Sequence, residues 1–396
     1  MAADHEREDG RAVSTEPAAA STPARTEGEA HLLRPKAGPR TMPKDFSISL
    51  AAKGGTDRLL APGTERLQSL RGFEDTYVDI IDYIVRITHR IWEEKHIGYI
   101  YETYRHNSKV MDDYGMQHGR DKIVADTVHT INAFPDIRLL AEEIIWAGDD
   151  EVGFHTSHRG IITGHNTGYS KYGPPTGRKV TVWATANCIS IENEIFEEWV
   201  IYNTASMIQQ LGFDLREKAR EIGSVANLDD LQDPRFGEPE RTIGQGKPPH
   251  MEPKTSGGFD VEDFVRRVYH YVWNWRLPGK VDDAYAPNLR FHGPTDREFY
   301  GRGEYKSFLL SIMAMFPDLV LQVDDVYWMG NERDGFMVSV RWSLVGTHRG
   351  HGVYGPPTGR RVNVWGITQH LIREGRIVED WMLFNEFEVM QQIYRE

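Results

Sequence analysis

From position 78 the chain repeats apolar residues every three or four places. Val78, Ile81, Tyr83, Ile84, Ile87, Ile91 and Trp92 fall on one side of a helical spiral, which predicts a long first helix. Val261, Phe264, Val265, Val268, Val272 and Trp273 repeat that pattern later, with His89 falling on His270. A shorter helix carrying Tyr101 and Tyr104 (Tyr285 in the later run) is expected next, then a short strand over 108–112 or 289–292. A third helix opens at Arg120 or Arg302 and stops at Phe-Pro-Asp, because proline lacks the N–H and clashes with the preceding turn. The period then changes to two. Four strands are predicted over 137–146, 152–164, 180–191 and 195–203, with Asp149-Asp150 and Asn193-Glu194 as tight turns, or Gly330-Asn331 and Glu374-Gly375. Helices followed by a meander is an α+β pattern: a curved antiparallel sheet packed on three N-terminal helices. There is no βαβ alternation and no glycine-rich phosphate loop.

The whole unit occurs twice. Phe134-Pro135-Asp136 returns as Phe316-Pro317-Asp318, and Tyr172-Gly173-Pro174-Pro175-Thr176-Gly177-Arg178 returns unchanged from Tyr354 to Arg360, each 182 positions later. The same shift carries Gly119-Arg120, Trp146, Arg159, Trp183, Glu197, Trp199 and Asn203 onto identical residues. A unit this long is a duplicated domain and not a solenoid repeat. Domain 1 is expected over 73–213, a linker over 214–258 with one short helical stretch at 215–222, and domain 2 from 259 to 396. Residues 1–65, rich in Ala, Pro, Thr, Glu and Arg, read as a disordered or extended tail in which Phe46, Ile48 and Leu50 alternate like an edge strand.

Composition narrows the function. A formal charge of −13 over 396 residues argues against a nucleic-acid partner. The single cysteine, Cys188, excludes an intrachain disulfide framework. No run is long and apolar enough for a membrane span, and the charged first ten residues do not resemble a secretory signal, so a cytoplasmic location is expected. His155 and His158 point to opposite faces of one strand, no His-Glu-x-x-His occurs, and no metal or other cofactor is expected.

Gly346-Thr347-His348-Arg349-Gly350, the Tyr-Gly-Pro-Pro-Thr-Gly-Arg loop and Gly375-Arg376-Ile377-Val378-Glu379-Asp380-Trp381 resemble the SnoaL-like polyketide cyclases, in the nuclear transport factor 2-like superfamily. The resemblance implies two cone-shaped α+β domains. It covers both domains and leaves out the tail and linker. It does not fix the reaction, because such folds host many functions. The family's acid/base Asp is implied four residues after the Trp of the last strand, where this chain has Asn203 and Asn385. An amide cannot exchange a proton near neutrality, though it can polarise a carbonyl. The resemblance also implies roles for His292 of His292-Gly293-Pro294 and for Asp112, which matches a general-base Asp closing the short strand after a tyrosine-bearing helix.

Residue patterns add alternatives to these roles. Asp112 reads as a base at a pocket mouth or as a strand-end turn residue, and His292 as an acid/base or a solvent-facing ring. Thr156, His158, Gly160 and Ile162 share one strand face where domain 2 has Val338, Val340, Trp342 and Leu344, so a polar pocket is expected in domain 1 only, with His158 as partner of Asp112 or else a hydrogen-bonded core histidine. Arg159 and Arg341, on the opposite face, read as interdomain or oligomer contacts, with substrate anchors as the alternative. Tyr101, Tyr104, Thr156, Trp199, Trp342, His348, Trp381 and Asn385 are the candidate substrate contacts, with His348 alternatively bonding its own loop. The expected activity is cofactor-free acid/base chemistry (cyclisation, isomerisation, dehydration or carbon–carbon lysis) on a small apolar or aromatic carbonyl compound. The alternatives are a non-catalytic binding or assembly module and, from the aromatic content, a cage for a cationic ligand. The two domains are expected to pack as a pseudo-dimer, with further homo-oligomerisation open.

Overall fold

The computed structural model describes residues 60–394 except 62, 113–114, 224–247 and 255–256. Nearly all of the tail, its Phe46–Leu50 alternation included, and most of the linker therefore lie outside the described residues.

Domain 1 runs α1 (Ile80–Trp92), α2 (Ile100–Thr103), β1 (Tyr104–Asp112), β2 (Gly115–His118), α3 (Arg120–Ala133), β3 (Arg138–Asp149), β4 (Gly153–His165), β5 (Lys179–Ile191), β6 (Glu194–Tyr202) and α4 (Thr204–Leu211). A further helix, α5 (Leu215–Gly223), follows at the predicted position. Domain 2 repeats the order: α6 (Val261–Tyr269), α7 (Val281–Ala284), β7 (Tyr285–Gly293), β8 (Arg297–Tyr300), α8 (Gly301–Met315), β9 (Val320–Asn331), β10 (Gly335–Thr347), β11 (Arg361–Arg373), β12 (Arg376–Phe384) and α9 (Glu386–Tyr394). Asp79 and Asp260 cap the first helix of each copy, each side chain accepting the N–H three residues on.

The two sheets have the same strand order, β2-β1-β6-β5-β4-β3 and β8-β7-β12-β11-β10-β9. They are mixed rather than purely antiparallel, because the helices between β1 and β3 return the chain so that β1 runs parallel to β6, and β7 to β12. The short hairpin strands β2 and β8 and the terminal helices α4 and α9 are absent from the sequence prediction. Tyr104 opens β1 instead of lying in a helix. The β5–β6 turn sits one residue early, with positive φ at Glu192 and Asn193, as at Glu374 and Gly375 in domain 2. Gly177 and Gly359 do take positive φ in the repeated loop. The hairpin after Asp112 closes on Gly115, whereas that after Gly293 closes on Arg297. That one extra residue changes the offset between the copies from 181 to 182.

Each sheet turns one face to its own helices and the other to the partner domain. On the outer faces the Arg341 guanidinium lies 4.0 Å from the Trp199 ring centre, and Arg159 lies 3.8 Å from that of Trp381. Gln369 donates to Ser157 O and Oγ, and Asn187 donates to Ser339 Oγ. The two repeated arginines thus sit at the interdomain contact.

Candidate functional site

Strand register decides which side chains meet. In domain 1, His158 pairs with Ile144 and Ala186, and Ala186 pairs with Val200. Asp112 comes one step beyond the Met111–Trp199 pair, beside Val200. Paired residues share a face, so Asp112 and His158 lie in one row of the inner face, three strand spacings apart, about 14 Å along a flat sheet and less across a curved one. The next row holds Trp146, Thr156, Cys188, Glu198 and Val110. Sequence alone pointed to Asp112, His158, Thr156 and Tyr104, and the fold does bring these to one inner face.

The row is electrostatically uneven. Burial pushes the Asp112 carboxyl up to about 6, partly offset by the charge of Lys171 and a hydrogen bond from Gln117 Nε2. Burial pushes His158 down to about 4, so its ring is neutral at pH 7. Glu198 accepts from Tyr104 Oη at 2.8 Å and faces Cys188 Sγ at 3.6 Å. Its pKa is raised by burial, against the two bonds, with a further push from the Asp112 charge. The Tyr104 hydroxyl and Cys188 thiol are held well above their ordinary ranges, first by burial, and so stay protonated. Domain 1 therefore gathers two carboxyls of raised pKa and one neutral imidazole around one interior.

That interior is less tightly filled than its copy. His158, Gly160, Ile162, Ala186, Glu198, Val200 and Tyr202 are all only half-buried. Their counterparts Val340, Trp342, Leu344, Thr368, Asp380, Met382 and Phe384 are all buried. Trp342 fills domain 2 from the position where domain 1 has Gly160.

Most other sequence candidates lie elsewhere. Trp199 and Trp381 are on the outer faces under Arg341 and Arg159, not in a pocket. His292 pairs with Trp381 and stacks on it with ring centres 5.1 Å apart, bonding Glu298 and Glu379. It too faces outward, because one residue of alternation separates it from Gly293, the counterpart of Asp112. Tyr101 is 45% exposed and donates to Asp121. His348 bonds Thr358 and pins its own loop, as Asn166 does in domain 1. Asn203 stands just before α4 without bonding the helix through its side chain; it accepts from Thr295 N at 2.8 Å and donates to Asp296 Oδ1 at 2.7 Å, which commits its amide to the other domain. Asn385 accepts from Glu388 N at the start of α9.

Two inner-face acids escaped the sequence reading: Glu198 and its counterpart Asp380. The available signal was alternation from His158, since Glu198 and Val200 share its face and Glu197 and Trp199 do not. In domain 2, Asp380 lies 3.4 Å from His370 Nδ1, and Tyr269 Oη lies 3.1 Å from His370 Nε2, all fully buried. Among the described residues no group of His, Cys, Asp and Glu is arranged to hold a metal ion, and no helix is long and apolar enough to cross a membrane.

Comparison with known proteins extends these observations. No curated protein matches the chain. A solved structure described as a SnoaL-like polyketide cyclase from Jannaschia sp. CCS1 is 22% identical, with 34% of this chain and 90% of that one covered at a TM-score of 0.30. IdmH from Streptomyces antibioticus, described as a polyketide cyclase, is 24% identical, with 33% and 96% covered at 0.29. TsrD from Streptomyces laurentii is 20% identical, with 34% and 93% covered at 0.30. The family model for SnoaL-like polyketide cyclases matches twice, over residues 70–211 and 263–393, once for each sheet and its helices. The chain belongs to the SnoaL-like polyketide cyclase family and carries two copies of its domain in tandem.

Proposed function

We propose that domain 1 is a cofactor-independent acid/base catalyst acting on a small, largely apolar or aromatic carbonyl compound, and that domain 2 is a filled scaffold. The observation that carries this reading is the contrast on the inner face. One cone is lined by Asp112, His158 and Glu198 around accessible space, and the other is packed solid by Trp342 and Val340. Asp112, with a pKa near 6, is a carboxylate basic enough to take a carbon-bound proton yet ionised at pH 7. Neutral His158 can donate a hydrogen bond to the oxygen on which negative charge develops, and Tyr104 holds Glu198 in place. Proton removal beside a carbonyl opens cyclisation, isomerisation, dehydration or carbon–carbon lysis. The description of the matching family as polyketide cyclases favours the first.

The reading extends to assembly: the domains pack as the two subunits of a single-domain ancestor did, and the chain works in the cytoplasm. Reciprocal stacking of Arg159 and Arg341 on Trp381 and Trp199 supports this, since a two-fold contact repeats each pair.

The direct test is deuterium uptake at the carbon beside the carbonyl of 2-tetralone, followed by NMR. Asp112→Asn should leave the fold intact and slow uptake by roughly two orders of magnitude. Uptake unchanged in Asp112→Asn, or absent from the wild type for every enolisable ketone tried, would move the chain to the non-catalytic binding class.

A further inference from the structure

We propose that the open cone of domain 1 takes a planar ligand of two fused rings bearing a hydroxyl or carbonyl, and that Gly160 and Ala186 set this limit. The inference rests on domain 1 being the working cone. Domain 2 contains its own image of such a ligand. The Trp342 indole lies so close over Gly366 that a Cβ there would come within 2.4 Å of its ring. Its N–H donates to Thr368 Oγ1 at 2.9 Å, and its ring and that of Phe384 meet edge-to-face at 5.9 Å between centres. The matching positions in domain 1 are Gly160 for Trp342, Ala184 for Gly366, Ala186 for Thr368 and Tyr202 for Phe384. Register confirms the match, because Gly160 pairs with Ala184 as Trp342 pairs with Gly366. An indole's worth of side chain is therefore missing from the wall of domain 1.

One further observation points a ligand into that space. A Cβ on Gly160 would stand 2.8 Å from Leu140 O and 3.6 Å from His158 Nε2, so a side chain there would crowd the neighbouring strand and lie in contact with that nitrogen. A ring the size of indole would rest on Gly160 and Ala186, with its polar edge toward His158 and its apolar body on Ile162 and Val200.

Calorimetric titration with phenol, indole, 2-naphthol and 2-hydroxyanthracene tests the size limit. One site per chain is expected, with 2-naphthol binding at least tenfold more tightly than both phenol and 2-hydroxyanthracene. Ala186→Trp, which rebuilds an indole beside His158, should abolish indole binding. Trp342→Gly should raise indole stoichiometry from one to two by opening domain 2. Affinity that climbs steadily to three rings, or indole binding unchanged in folded Ala186→Trp, would overturn the proposal. Should Trp342→Gly fail to fold, the size series and Ala186→Trp still decide. The same series on Asp112→Asn separates the two readings. Ranking kept without any proton exchange in the wild type refutes acid/base catalysis alone, and ranking lost with exchange intact refutes the size limit alone.

Discussion

Asp112 and His158 are displaced in opposite directions by the same burial, and their effects on stability oppose each other. A carboxyl raised to about 6 in the fold favours the folded state below its unfolded value near 4, and that contribution is lost as pH rises through about 6. A histidine lowered to about 4 contributes stability above its unfolded value near 6.5, which is lost as pH falls toward 4. Asp112→Asn should therefore raise stability at pH 7 by up to about 2–3 kcal/mol and do almost nothing at pH 4, as thermal melts at the two pH values would show. In activity, the acid limb should fall near pH 6, an apparent value shared with Glu198 because the two carboxyls interact. Both residues were legible in the sequence, Asp112 from a strand-end match and His158 from comparing the copies. Glu198 was not, because its neighbours Glu197 and Trp199 repeat in both domains and drew the reading to the wrong face. Period-two patterns fix which residues share a face but not which face is inside.

At the scale of elements, the missed pieces are short. Asn203 and Asn385 stand where the family resemblance implied an acid/base, and that reading hid their other roles, Asn385 as a helix cap and Asn203 as a link to domain 2. The helix after Asn203, Thr204–Leu211, ends on Gly212 in a left-handed conformation. Asn385→Ala should cost about 1 kcal/mol in urea unfolding through loss of the bond to Glu388 N, with no change in proton-exchange rate. Asn203→Asp is a sharper case. It would set a carboxylate 2.7 Å from Asp296 Oδ1 across the domain boundary, where an amide N–H now donates. A loss of about 2–3 kcal/mol is expected at pH 7, since a charge-assisted bond is replaced by repulsion, and acidification should relieve it. Equal destabilisation at pH 7 and at pH 3.5 would contradict that account. The strands β2 and β8, four residues each, were invisible because alternation over so short a span is indistinguishable from loop.

Across the whole molecule, duplication has let two copies of one fold diverge on their inner faces. The repeat, its offset and the α+β order were all readable from the residues, since identical landmarks at fixed spacing survive divergence of everything between them. The parallel β1–β6 pairing was not, because nothing local records which strand a returning chain joins. The outer faces hold the copies together: Arg159 is buried and has the Trp381 ring as its close neighbour. Trp381→Ala should cost about 3–5 kcal/mol, through the lost ring and the cation left beneath it, as urea unfolding would register. The inner faces have diverged, one into a packed core and one into a lined space. Parallel measurement of pH-dependent deuterium uptake by 2-tetralone in the wild type, Asp112→Asn and Asp380→Asn tests this division most directly. The account predicts a wild-type rate rising through pH 6, lost in Asp112→Asn and preserved in Asp380→Asn. A rate that survives Asp112→Asn and disappears in folded Asp380→Asn would contradict it, and would place the chemistry in domain 2.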